Sequence, residues 1–370
     1  MKVGFSVILL TAVSLFSSCR SSEPSVFSWF DYVDSTAVIY APQYACNFLV
    51  TREQGKTILY LRDNASSGIP ERYEVPRLSK AVCLSTTHAA YLTALQASDC
   101  ICGLSGTRYV YDSLLQARIA AGRIIDVGYE ASIDFEALLS LHPDVVFAYS
   151  IPGQPTDYIT KMKQLGLYVI PIPEYTEPHP LGKAEFLRVF ATFLGLETKA
   201  DSLFHHTRVA YEAWKQQVQS YRDSTQTEPI PVLVNAPFKD VWFVPAQSSH
   251  LAQFISDAGG TLLGASPGLT SQPVPTEQMY TLALQAHVWL HPNHFTTRQE
   301  LKQLDERFAT IPCFSSQQVW NNNLRSSSGG GSDFFESGAV YPHLILADLI
   351  AIFHPTLLSE HTFTYYRRLD

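Results

Sequence analysis

The chain lacks any run of basic residues, and its formal net charge is −8 over 370 residues. A nucleic-acid binder needs a positive face, so that class is excluded. Cysteine is scarce. Apart from Cys19 there are Cys46, Cys83, Cys100, Cys102 and Cys313, an odd number, so at least one has no partner within the chain. Cys100 and Cys102 are one residue apart on an expected strand, where their side chains face opposite ways, which speaks against a zinc site there. Ser85 does not stand in the Gly-x-Ser-x-Gly elbow that presents an α/β-hydrolase nucleophile. Ser328-Gly329-Gly330-Gly331-Ser332 has neither the lysine nor the following helix of a phosphate loop and reads as a mobile loop. Beyond the first residues no segment is apolar for long enough to span a bilayer.

What is present starts with an export signal. Lys2 precedes an apolar stretch from Val3 to Phe16, then Ser17-Ser18-Cys19. A cysteine after such a stretch matches a bacterial lipobox, with Cys19 as the lipidated first residue of the mature chain and Arg20 to Ser25 as a polar tether. Val38 to Leu61 reads as strands around a turn, with a hairpin at Gly55-Lys56.

From Ala81 onwards β and α patterns alternate, which implies parallel sheets. One unit recurs. Ser132-Ile133-Asp134-Phe135-Glu136 leads through a short helix into Val145-Val146-Phe147-Ala148, and Val274-Pro275-Thr276-Glu277 leads through another into Val288-Trp289-Leu290. Each is helical spacing followed by a continuous apolar run, the mark of a buried parallel strand. Between them Pro180 to Tyr221 reads as continuously helical, with Gly195 as its break and Thr198 as a cap. This pattern predicts two α/β lobes joined by a rigid helix. The expected boundaries are 1–18 signal, 19–77 tether and β accessory, 78–178 first lobe, 179–225 connecting helix and 226–370 second lobe.

Several pieces, in order, resemble the iron-complex and cobalamin class of periplasmic substrate-binding proteins of ABC importers. They are Leu84-Ser85-Thr86-Thr87-His88, the glutamate unit ending His142-Pro143-Asp144-Val145-Val146, and His179-Pro180-Leu181-Gly182-Lys183-Ala184-Glu185. Phe238-Lys239-Asp240-Val241-Trp242-Phe243-Val244-Pro245, Asp257-Ala258-Gly259-Gly260 and Phe335-Glu336-Ser337-Gly338 follow. The strands before Leu78 look like an accessory of Bacteroidetes-type lipoproteins. The resemblance implies two Rossmann-like lobes bridged by one long helix and a chelate ligand between them. It also implies a permease dimer with its ATPase as partner, on which Glu136 and Glu277 dock through arginines. No intrinsic cofactor is expected, and the implied location is the periplasm, lipid-anchored to a membrane.

Ligands of such sheets sit beyond the carboxyl ends of the strands. That rule nominates His88, Arg108, Tyr109, Tyr149, Ser150 and Tyr175 in the first lobe. In the second it nominates Phe238, Trp242, Asn293 and His294. Aromatic rings with a few polar groups suit a large, flat, partly apolar ligand such as a corrin, a porphyrin or a siderophore chelate. His88 or His294 could meet a corrin or haem metal axially. Arg108 is the one evident cleft arginine, which favours cobalamin over an anionic siderophore. Two other classes compete. One is a chelatase or hydrolase using Ser85, His88 and Asp144, and the other is a scavenging lipoprotein without a permease.

Overall fold

A computed structural model describes residues 28–63, 68–129, 132–149 and 157–370. The export signal, Cys19 and Ser150 lie outside them. Among the described residues no helix is long and apolar enough to cross a membrane.

The chain first builds a four-stranded antiparallel sheet, β1 (Val38–Tyr40), β2 (Phe48–Glu53), β3 (Lys56–Leu61) and β4 (Glu71–Glu74), in sequential order. Gln54 and Gly55, both at positive φ (49° and 80°), turn β2 into β3. Such a two-residue turn matches the twist of the strands it joins. Phe48, Val50, Leu59 and Leu61 pack into one apolar cluster with Ala81, Tyr91, Phe147 and Phe186 of the lobe that follows. The accessory therefore shares that lobe's core. Two buried glutamates reinforce the union. Glu185 accepts from Tyr40 Oη (2.9 Å) and from the amides of Gln43, Tyr44 and Ala45 (2.8, 2.8 and 2.9 Å). Glu177 accepts from the amides of Cys46 and Asn47, each at 2.9 Å. Buried carboxylates persist where their lone pairs are met in this way.

The first lobe holds β5 (Ala81–Cys83), α1 (Thr86–Ala94), β6 (Ile101–Leu104), α2 (Ser113–Ala120), β7 (Ile125–Asp126), α3 (Phe135–Leu141), β8 (Val145–Ala148), α4 (Asp157–Gln164) and β9 (Val169–Pro171). Its sheet is parallel in the order β7-β6-β5-β8-β9. Ser85 caps α1 by accepting from the Thr87 amide. Cys100 closes a short 3-10 turn and Cys102 lies on β6, so the two do not share a strand. None of the five described cysteines is in a disulfide.

The connector breaks twice. α5 (Pro180–Glu185) bends at Phe186 into α6 (Leu187–Leu194), and Gly195, at φ 65°, ends α6. Then α7 (Glu197–Thr225) runs 29 residues, about 43 Å at 1.5 Å per residue. Its N-cap is Leu196, without a side-chain bond, so Thr198 lies inside the helix.

The second lobe holds β10 (Ile230–Val234), β11 (Val241–Val244), α8 (His250–Asp257), β12 (Gly260–Leu262), β13 (Gln272–Pro275), α9 (Thr276–Ala283) and β14 (Val288–Leu290). It continues with α10 (Arg298–Leu304), α11 (Pro312–Ser315), β15 (Val319–Asn321), α12 (Pro342–Phe353) and β16 (Arg367–Arg368). The sheet order is β12-β10-β14-β15-β16, parallel except for β16. β11 and β13 pair apart from it. The recurring glutamate units occupy matched places, since β8 and β14 each lie beside the first strand of their own sheet, β5 and β10. The fold is α/β: two Rossmann-like lobes joined by a long helix.

Candidate functional site

Strand order reverses between β5 and β8 in one sheet and between β10 and β14 in the other. Such switch points open a crevice past the strands' carboxyl ends. In the first lobe this crevice is walled by tyrosines. Tyr149, after β8, meets Tyr175 edge-on at 5.2 Å, and Tyr109 meets Tyr129 at 5.9 Å. Tyr129 and Tyr149 share a small hollow with Leu84, Ser105, Ile133 and Tyr158. The Arg108 guanidinium lies over the Tyr109 ring at 4.6 Å and donates to its hydroxyl. The structure thus draws together four of the nominated residues and adds Tyr129, which the same strand-end rule would have found after β7.

The second lobe contributes Phe238, 65 % exposed, with Lys239 near its ring. Asn293 is spent on the backbone. It donates to Ala236 O at 2.9 Å and holds the positive-φ turn after β14. His294 is exposed and stacks on Phe295 at 4.5 Å.

Two nominations need correction. His88 is fully buried. Its Nδ1 sits 3.3 Å from Phe147 O and its ring lies 5.8 Å from Phe190, because the first turn of α1 faces the core. Trp242 is also fully buried. Its Nε1 donates to Val234 O at 2.7 Å and its ring packs on Trp289 and Phe308. Neither side chain reaches the cleft. Alternation along β11 instead exposes Phe243, one residue on.

The glycine-rich segment also departs from expectation. Rather than standing free at a rim, it bridges the lobes. Ser327 Oγ donates to Arg108 O at 3.0 Å, and Thr87 Oγ1 donates to Phe335 O at 2.6 Å. The Glu336 carboxylate accepts from the amides of Tyr111 and Asp112, each at 2.9 Å. Gly329 and Gly331 lie so close to the backbone of Arg108 and Tyr109 that a Cβ on either would collide with a carbonyl oxygen. Burial pushes the Glu336 carboxyl up to about 7. Beside this bridge is a second cavity of about 1010 Å³, with Gln96, Asp112 and Gln116 on one wall and Arg325, Tyr341 and Leu344 on the other.

The paired glutamates differ in setting. Glu136 is exposed in the first turn of α3. Glu277 stands in the first turn of α9, and Arg307 grips both its oxygens at 2.8 and 3.0 Å while also bonding Asp305. Among the described residues no group of three His, Cys, Asp or Glu side chains could hold a metal ion. The hydrolase triad is not assembled. Ser85 caps α1 at the carboxyl end of β5, while Asp144 stands before β8 at the other end of the sheet and accepts from the amides of Ser79 and Lys80.

A family model described as "Periplasmic binding protein" matches residues 82–323, more than half of the chain. An uncharacterized lipoprotein of Methanocaldococcus jannaschii is 24 % identical over 290 residues, and a second from that organism is 23 % identical over 258. These alignments cover 75 % and 67 % of this chain, but only 66 % and 62 % of the relatives' own length. The fold is similar to a periplasmic heme-binding protein of Pseudomonas aeruginosa (TM-score 0.58, 16 % identity, 75 % of this chain and 93 % of that one). It is also similar to a periplasmic vitamin B12-binding protein of Vibrio cholerae (TM-score 0.55, 15 % identity, 77 % and 99 %). An ABC-type Fe3+-hydroxamate transport protein of Saccharomonospora viridis matches likewise (TM-score 0.58, 14 % identity, 80 % and 98 %).

Proposed function

This chain belongs to the periplasmic binding protein family, and from that premise we propose that it captures a bulky metal chelate between its lobes and delivers it to an ABC importer permease. The observation that carries this reading is the tyrosine wall at the β5/β8 switch point, where Tyr149 meets Tyr175 and Tyr109 meets Tyr129. Offset aromatic rings around a crevice offer faces and edges to a large, flat, partly apolar ligand. A corrinoid, a haem or a ferric siderophore fits that description. The heme, vitamin B12 and Fe3+-hydroxamate proteins of like fold lend support. Glu136 and Glu277 would set the register on the permease, and Cys19 would carry the lipid that keeps the protein at a membrane facing the periplasm.

The test is a calorimetric titration of the full chain, solubilised in detergent, with cyanocobalamin, haemin and ferric siderophores. One of them is expected to bind 1:1 and to lose affinity on Tyr149→Ala, while Arg325→Ala in the second cavity leaves it intact. The opposite pattern would move the ligand to that cavity. Binding of none would overturn the carrier reading.

A further inference from the structure

Next to Tyr175, at the turn that carries Glu174, ionisable groups from both lobes and from the connector converge. Glu174 follows β9 and His88 opens α1, so both stand at the carboxyl end of the first sheet. Lys183 lies in α5, which packs under both lobes. His250 opens α8 and His291 follows β14. Glu174 and His88 are almost wholly buried, and Glu174 Oε2 and His88 Nε2 face each other at 3.6 Å without hydrogen-bond partners. That separation is too long for a hydrogen bond.

Lys183 is the unusual member. Protein surrounds it closely enough to lower its ammonium pKa by burial, with Glu174 pulling the other way, yet part of the residue stays accessible to solvent. α5 packs on the turn at residues 174–176 of the first lobe and on α8 of the second, so Lys183 lies where the two lobes meet. The Lys183 carbonyl is fixed by Tyr91 Oη at 2.6 Å, which anchors the backbone. Among the described residues no carboxylate lies within ion-pair distance of its Nζ. His250, across from it, is held neutral, with its pKa down to about 3 through burial, then the Lys183 charge and His291. His291 is likewise down to about 3 and hydrogen-bonds Tyr366 Oη at 2.5 Å. The floor therefore carries one enclosed ammonium beside neutral imidazoles, while the Glu174 carboxylate is set behind, out of solvent. An enclosed cation without a contact partner is costly unless something completes it.

We propose that Lys183 is the cation at the cleft floor that receives an anionic oxygen of the cargo, which makes the cargo a carboxylate- or phenolate-bearing metal chelate rather than an uncharged one. Glu174 keeps the ammonium charged from behind, and His250 lies beside the incoming oxygen as a neutral imidazole. This rests on the carrier reading above and narrows it.

The test compares haemin with haemin dimethyl ester, and ferric citrate with ferrichrome and cyanocobalamin, which are neutral overall and carry no free carboxylate, by calorimetry on the detergent-solubilised chain. A charge-assisted hydrogen bond corresponds to about tenfold to hundredfold in affinity. The free acid is expected to bind tighter than its ester by about that factor. Lys183→Gln should lose the same factor for the acid and nothing for the ester, and Lys183→Arg should recover part of it. Thermal denaturation of both variants checks that each folds. Equal binding of acid and ester, an equal loss for both on Lys183→Gln, or a ligand set made only of uncharged chelates would overturn the assignment while the carrier reading stands. Binding of none of the five would overturn both.

Discussion

Replacing Glu185 by glutamine is the sharpest probe of how the accessory is held. The side chain is wholly buried, and its two oxygens divide four donors between them. Oε1 takes Tyr40 Oη and the Gln43 amide, and Oε2 takes the amides of Tyr44 and Ala45. Glutamine keeps one acceptor oxygen and turns the other into an NH2 donor. Whichever way the amide is flipped, two donors lose their acceptor and face a competing N–H. A buried donor left unpaired costs about 1–3 kcal/mol, so the pair costs about 2–6 kcal/mol. A domain's total stability is roughly 5–15 kcal/mol, so a loss of this size is large. Because Phe48, Val50, Leu59 and Leu61 lie in the core of the first lobe, the loss should register in that lobe's own unfolding. Urea denaturation followed by far-UV circular dichroism should show an earlier first transition, and limited proteolysis should cut earlier between β1 and β2. A Glu185→Gln variant within about 0.5 kcal/mol of the parent would refute the reasoning, since it would mean that the amides of residues 43–45 find other partners at no cost.

Three further outcomes are expected. Gly331→Ala should lift the bridging segment, because its Cβ collides with the Tyr109 carbonyl. Faster hydrogen exchange at the Tyr111 and Asp112 amides would report it, and Ser328→Ala, at an exposed position of the same segment, is the control. Burial raises the carboxyls of Glu177 and Glu336 to about 7, above their unfolded value, so the stability they contribute is complete below about pH 4.5 and is lost as pH rises through 7. His250 and His291, lowered to about 3, contribute in the opposite sense, but that gain is complete above about pH 6.5. The melting temperature should therefore fall between pH 6.5 and 8, and Glu177→Gln should flatten the fall; a flat parent profile would contradict the assignment. Arg307→Ala should leave the melting temperature close to the parent's, since the Glu277 pair is solvent-exposed. In a reconstituted transporter it should leave ATPase stimulation intact, whereas Glu136→Ala with Glu277→Ala should abolish it.

The lobes were legible because parallel strands buried on both faces appear as unbroken apolar runs, as at Val145–Ala148 and Val288–Leu290. The long helix was legible for the opposite reason, since its apolar residues keep helical spacing between polar ones. Side-chain direction was harder. The strand-end rule locates a backbone position and says nothing of where its side chain points. His88 stands at the right end of β5, yet the turn of α1 sends its ring beneath Phe190. Trp242 sits on β11 with the parity that faces Trp289, and the exposed ring belongs to Phe243. The bridging role of the glycine-rich segment was hidden because its glycines answer to the carbonyls of Arg108 and Tyr109, more than two hundred residues earlier.

The same distance in sequence explains why the cleft floor could not be read. Lys183 is one cation in a helix that also carries Pro180, Leu181 and Ala184, and by spacing alone it belongs to a solvated edge. Its charged and neutral neighbours, Glu174 and His250, belong to two segments that both pack on α5. Glu177, just before the same short helix, and Glu185, its last residue, fasten the accessory to it. One stretch, 174–185, thus ties accessory, first lobe and cleft floor together. A perturbation that loosens the accessory should then reach the cleft. Glu185→Gln should weaken chelate binding as well as stability, although Glu185 itself lies outside the tyrosine wall. Unchanged affinity in a destabilised Glu185→Gln protein would show that the floor is held by the lobes alone.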